Sequence, residues 1–144
     1  MISAAEMDTI IFTEYKRMTG KEFYGSVQLP DTMYLLPTDN MMSKIYKNYF
    51  IPFMEAFQLH YENSFDCDNF GMTYATVHTL LKMGLAVGFI FYYDITKENS
   101  GHSVGFYVNN LRQFRKIEPQ SDTFNIGELT PNNIMWFGFL EGIK

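Results

Sequence analysis

The hydrophobic residues of this chain change their period at Gly84. Before that glycine they recur every three or four residues, as an amphipathic helix requires. After it they run in short alternating or continuous stretches rich in Val, Ile, Phe and Tyr, as strands require. A helical half followed by a strand half implies an α+β fold, with N-terminal helices packed on a C-terminal antiparallel sheet of about four strands. The 144 residues have the length of one ordinary domain. No repeat, low-complexity stretch or Gly/Ser linker divides them, so a single domain over residues 1–144 is expected.

Ser3 and Glu6 form a capping-box signature, and Met7, Ile10, Ile11, Tyr15 and Met18 follow at helical spacing up to Gly20. Residues 21–33 read as a loop, with a short extended piece at Tyr34-Leu35-Leu36 ended by Pro37. Thr38 or Asp39 caps a second helix carrying Met42, Ile45, Tyr46 and Tyr49. Pro52 is expected to interrupt it and to open a short helix to Leu59. Asp66 offers a third N-cap, and Phe70, Tyr74, Val77 and Leu81 then repeat on one face.

Ala86 to Ile95 is the first expected strand, and Lys97-Glu98-Asn99-Ser100-Gly101 is a turn. His102 to Val108 runs next, Asn109 to Gln113 turns the chain, and Phe114 to Gln120 returns. Ile134 to Leu140 follows Pro131 and closes a meander. If the two middle strands form a hairpin, the turn length pairs Val108 with Phe114 and Phe106 with Lys116. Continuing that register sets Val104 opposite Glu118 and His102 opposite Gln120, with Glu118 on the diagonal from His102.

The composition narrows the functions. A formal charge of −5 and the lack of a basic patch argue against nucleic acid as partner. Arg112, Arg115 and Lys116 read as a solvated strand edge. No apolar stretch reaches the ~20 residues of a membrane span, and Met1 to Thr9 does not resemble a secretory signal. A cytoplasmic location is therefore expected, and no membrane partner. Ten Met, fourteen Phe and ten Tyr hint at an AT-rich coding genome, such as that of a virus or low-GC bacterium. A phage-encoded chain would sit in the host cytoplasm or the virion.

One cysteine rules out an internal disulfide and a cysteine-only zinc site. Cys67 is therefore either an inert buried thiol or a reactive centre. It falls in the first turn of the helix that Asp66 caps, where unpaired N–H groups and the helix dipole favour a thiolate and can receive an oxyanion. Asp66 and Asp68 oppose this with negative charge on both sides. His102 opens a strand just after a glycine, with Glu118 and Gln120 in reach to orient its ring. The alternative is an exposed turn histidine beside a strand-end acid.

The segments Phe65-Asp66-Cys67-Asp68-Asn69-Phe70, Gly101-His102-Ser103-Val104 and Ile117-Glu118-Pro119-Gln120 occur in the order Cys, His, acid. Together they resemble the papain-like/transglutaminase-like superfamily, especially small phage and bacterial members. The resemblance covers roughly residues 60–140. It implies Cys67 as nucleophile, His102 as base and Glu118 as orienting acid. Two positions depart from the common pattern: Ser103 stands where alanine or tryptophan is usual, and Glu118 where aspartate is usual. Gln120 is a supporting candidate, and Asn63, then Gln58, are the nearest candidates for an oxyanion side chain.

His60, Asp66, Cys67 and Asp68 lack metal-ligand spacing, so neither a metal nor another cofactor is expected. His78, three turns along the helix from Cys67, reads as a core or groove histidine. Tyr92-Tyr93 and Trp136-Phe137-Gly138-Phe139 read as sheet core. Two functions follow: a thiol-dependent hydrolase or acyl transferase acting on a peptide or protein, or a non-catalytic phage accessory domain that binds a protein. The sequence leaves the oligomeric state open.

Overall fold

A computed structural model describes residues 1–93, 101–127 and 133–139, with the backbone alone for Tyr92, Tyr93 and 133–139 and for Met18. The first helix, α1 (Ala4–Thr19), follows the two-residue strand β1 (Ile2–Ser3). Its capping box is formed: Ser3 Oγ receives the Glu6 N–H at 3.2 Å and Glu6 receives the Ser3 N–H at 2.8 Å. Gly20 ends it at φ 70°, a left-handed conformation that costs glycine nothing.

The expected loop at 21–33 is corrected in part. It contains β2 (Ser26–Gln28), and β3 (Met33–Tyr34) begins at its end. β3 pairs with β1, whereas β2 runs parallel to a strand more than 100 residues later. A three-residue strand is too short to show periodicity, so only its distant partner defines it.

Contrary to expectation, Pro52 does not interrupt the second helix. Instead α2 (Asp39–Ile45) widens into a π-helical segment (Tyr46–Phe50) and continues as α3 (Ile51–Ala56). The Ile51 N–H reaches back five residues to the Tyr46 carbonyl. Proline lacks an N–H and its ring crowds the carbonyl four residues earlier, and a π turn relieves both problems. α4 (Cys67–Leu80) follows, with Asp66 as its N-cap and the Asp66 N–H held by the Asn69 side chain at 3.1 Å.

The remaining strands are β4 (Val87–Tyr93), β5 (Gly101–Val108), β6 (Phe114–Ile117), β7 (Ile126–Gly127) and β8 (Asn133–Phe139). The mixed α+β class holds, with β8, β4, β5 and β6 as four neighbouring antiparallel strands. The simple meander does not: the sheet has six strands in the order β2-β8-β4-β5-β6-β7. β8 returns past the hairpin to pair with β4, and β2 adds a parallel edge beside it. The turn at 97–100, Ile95, Pro131 and Leu140 lie outside the described residues.

Apolar residues fill both faces of this sheet. Met7, Ile10, Ile11 and Tyr15 of α1 pack with Ile90, Val104, Phe106, Val108 and Phe114. On the other face Tyr46, Phe50, Phe70, Tyr74 and Val77 pack with Val87, Tyr107 and Ile117. Period-2 alternation along β5 sends successive side chains to opposite clusters, as a strand buried on both faces requires.

Of the basic cluster at 112–116, Arg112 is solvated as expected, whereas Arg115 is half-buried and tied to a helix. Arg115 pairs with Asp39 at 3.2 Å and Arg112 with Glu6 at 3.6 Å. Asp39 further receives the Tyr107 hydroxyl at 2.9 Å and the Asn109 amide at 3.1 Å. The first residue of α2 is thereby tied to the end of the β5–β6 hairpin.

Candidate active site

α4 lies against β5 with almost no room between them. A Cβ on Gly71 would stand 2.4 Å from Ser103 Oγ, and one on Gly105 would stand 2.3 Å from the Tyr74 ring. Three residues along the helix thus match two along the strand in the same direction. Cys67 lies one turn, about 6 Å, before Gly71, and His102 lies one residue, about 3.3 Å, before Ser103. The helix N-terminus and the start of β5 therefore meet at one end of the sheet.

Cys67 is the first helical residue of α4 and is half-buried. The ligand atoms of Asp66, Cys67 and Asp68 lie within 4.8 Å of one another, and His60 is outside this group, 3.9 Å from Glu62. The Asp66 carboxyl holds its proton more tightly than an ordinary aspartate. The largest cause is a hydrogen bond shared with Asp68, which two carboxyls can form only when one is protonated; burial and the Asp68 charge act in the same direction.

The β5–β6 register matches the hairpin expectation, with Val108 opposite Phe114 and Phe106 opposite Lys116. β6 ends at Ile117, so His102 and Glu118 lie beyond the last paired residues. Their side chains nonetheless meet on the diagonal: His102 Nε2 is 2.9 Å from Glu118 Oε2. The other carboxylate oxygen receives the Gln120 N–H at 3.2 Å. Glu118 to Ser121 is a tight turn closed by the Ser121 N–H on the Glu118 carbonyl at 3.1 Å, with Pro119 at its favoured second position. The hydroxyl of fully buried Tyr46 donates to the Ser121 carbonyl from beneath at 2.5 Å. Burial and the nearby Glu118 and Asp122 charges keep that hydroxyl protonated, since ionising it would place a third negative charge there.

The remaining candidates are less closely gathered. The Gln120 side chain is exposed and lines a groove on the far side of the turn. Asn63 is exposed in the connection between α3 and α4. Gln58 lines the same groove, with its backbone at φ 53°, a left-handed conformation unusual outside glycine. Among the described residues no hydrogen bond joins Cys67 to His102. Ser103 rather than His102 lies directly under the helix, because alternation turns His102 out of the row formed by Ser103, Gly105 and Tyr107.

His78 is a core histidine. It is 3% exposed, with Nδ1 2.7 Å from the Tyr74 carbonyl and Nε2 without a partner among the described residues. Burial lowers its pKa to about 4, so the ring is neutral at physiological pH. The part played by Tyr46 has no sequence signature, because its partners lie more than 70 residues away.

No protein-family model and no curated sequence matches the chain. Two solved structures are among those that share its fold. One is PSL1a in complex with E64, at TM-score 0.70 and 15% identity over 94% of this chain and 50% of that one. The other is Polyporus squamosus lectin bound to the human-type influenza-binding epitope Neu5Aca2-6Galb1-4GlcNAc, at TM-score 0.61 and 15% identity over 90% of this chain and 47% of that one. The chain spans about half the length of each. Neither description names a papain-like or transglutaminase-like protein, and at 15% identity the likeness extends to the fold alone.

Proposed function

We propose that the chain is a thiol-dependent hydrolase or acyl transferase on a papain-like scaffold, acting through Cys67, His102 and Glu118 on a peptide or protein amide. The observation that carries this reading is the 2.9 Å contact between His102 Nε2 and Glu118 Oε2. A carboxylate on one ring nitrogen fixes the tautomer and directs Nδ1, the nitrogen Glu118 does not take, to act as base.

In the proposed reaction Cys67 Sγ gives its proton to His102 Nδ1, and the thiolate attacks the substrate carbonyl carbon. A C–S bond forms and the carbonyl electron pair moves to oxygen, where the N–H groups of the first turn of α4 stabilise it. Collapse of that intermediate breaks the C–N bond, and the imidazolium protonates the leaving amine. Water or another amine then attacks the thioester, with His102 taking its proton, and Cys67 is released.

The second reading is a non-catalytic protein-binding domain. It is favoured by the lack of a Cys67–His102 hydrogen bond among the described residues and by the two aspartates beside the thiol. Catalytic hydrogen bonds often tighten only when substrate binds, so the resting geometry does not decide between the readings. Iodoacetamide does. Under the first reading Cys67 is alkylated faster than a free thiol at about pH 6–7, where an ordinary thiol is protonated, and His102→Ala removes the excess. Equal rates in the two proteins would leave Cys67 as scaffold. E64, which PSL1a binds, serves as a second probe, with an adduct at Cys67 sought by intact mass.

A further inference from the structure

A groove of about 360 Å³ opens beside the candidate site, between the chain that leads into Cys67 and the turn that follows Glu118. Its floor is apolar, formed by Ile51, Met54, Leu59 and Phe70. Glu55 and Asp122 line it, both exposed, as does His60, whose ring is 3.9 Å from Glu62, and among the described residues no Lys or Arg lines it. Phe70 in its floor is one turn from Cys67 on α4, and Pro119 in its wall directly follows Glu118, so the groove adjoins the two segments that carry the candidate residues.

We propose that this groove is a subsite for a lysine or arginine side chain of an extended peptide substrate. The inference rests on the hydrolase reading above and names its substrate class. A long cationic side chain has two unlike parts: an aliphatic stem that gains by leaving water and a charged head that must stay solvated or paired. A groove with an apolar floor and two exposed carboxylates meets both needs. A purely apolar side chain would leave the carboxylates unused, and an acidic one would be repelled.

Gln58 also lines this groove. It occupies the left-handed position just past α3, where its φ of 53° would suit glycine better. The Gln58 N–H bonds the Glu55 carbonyl at 3.1 Å and the Leu59 N–H bonds the Met54 carbonyl at 2.9 Å, closing the helix end there. Its carboxamide, both donor and acceptor, is among the groups that line the groove.

The test uses the full chain carrying Cys67→Ala, so that binding is read without turnover. Acetylated, amidated pentapeptides of alanine with a central lysine, arginine, norleucine or glutamate are titrated against it, and amide NMR shifts are followed. The lysine and arginine peptides should move the Leu59, Phe70 and Asp122 signals and bind about two- to fivefold more tightly than norleucine, the range expected for exposed ion pairs. Added salt and the double change Glu55→Gln, Asp122→Asn should erase that preference. Equal binding of norleucine, shifts elsewhere on the surface, or a preference that survives the double change would overturn the subsite. Alkylation of Cys67 in the unaltered chain is measured separately. A reactive thiol with no lysine preference rejects only the subsite, and an unreactive thiol with that preference rejects only the hydrolase.

Discussion

Gly71 of α4 and Ser103 of β5 approach so closely that the serine hydroxyl occupies the space a side chain on residue 71 would need. Ser103 Oγ is fully buried and has no hydrogen-bond partner among the described residues. It therefore carries a desolvation cost with no polar return. Ser103→Ala is expected to leave stability unchanged or raise it by up to about 1 kcal/mol. Gly71→Ala should be destabilising on its own and nearly tolerated when combined with Ser103→Ala, because the nearest remaining atom would be the Cβ of residue 103 at 3.4 Å. Urea unfolding of the four proteins of this double-mutant cycle gives the coupling, and strict additivity would refute the contact. Gly105→Ala offers no such escape, since a Cβ there meets the Tyr74 ring at 2.3 Å.

Glu118→Gln keeps the shape of the side chain and removes its charge. A half-exposed ion pair contributes up to about 1 kcal/mol, so alkylation of Cys67 by iodoacetamide at neutral pH should slow by about fivefold. The melting temperature should change little, because Gln can still accept the His102 hydrogen bond. An unchanged rate means the carboxylate does not act through His102. Unfolding on substitution would mark Glu118 as an anchor of the strand end.

Asp39 collects three donors from the β5–β6 hairpin, namely Tyr107, Asn109 and Arg115. Asp39→Ala leaves all three without that acceptor, at an expected cost of about 2–3 kcal/mol. For a chain of this length that lowers the melting temperature by about 5–10 °C. Asp39→Asn keeps an acceptor oxygen and should cost roughly half as much. Calorimetry ranks the two, and the idea is lost if both melt with the unaltered chain.

His78 makes stability depend on pH through a neutral buried ring. Burial lowers its pKa from 6.5 to about 4, so between those values the unfolded chain binds a proton that the folded chain does not. The contribution is complete above pH 6.5 and is lost as pH falls towards 4, by about 3 kcal/mol in all. Denaturant midpoints between about pH 7 and 4 should fall more steeply for the unaltered chain than for His78→Gln. Parallel curves would show that the ring is not buried neutral.

What could be read from the sequence was local. The Ser3–Glu6 cap, the Asp66 start of α4 and the Val108–Phe114 register depend on neighbours within a few residues or one turn. That register alone brings Glu118 to the diagonal of His102. Contacts between distant segments were not legible: Ser26–Gln28 is a strand only because residues 136–138 lie beside it. Pro52 misled because its cost is local but its remedy, a π turn, depends on the packing of Tyr46 and Phe50. The candidate site divides in the same way, with the His102–Glu118 contact readable and the Tyr46 support beneath it hidden.

The two rims of the sheet are its shortest members, three residues in β2 and two in β7. Exposed backbone along a long rim strand is a template on which another chain can add, and a brief rim offers too few free amides to hold one. Gly25 and Pro30 flank the first rim and Gly127 belongs to the second. β4, paired with β5 on one side and β8 on the other along nearly its whole length, is screened from edgewise recruitment. The Val87–Tyr93 run, rich in aromatic residues, is thus held inside the sheet, and the outermost strands are too brief to propagate a fibre.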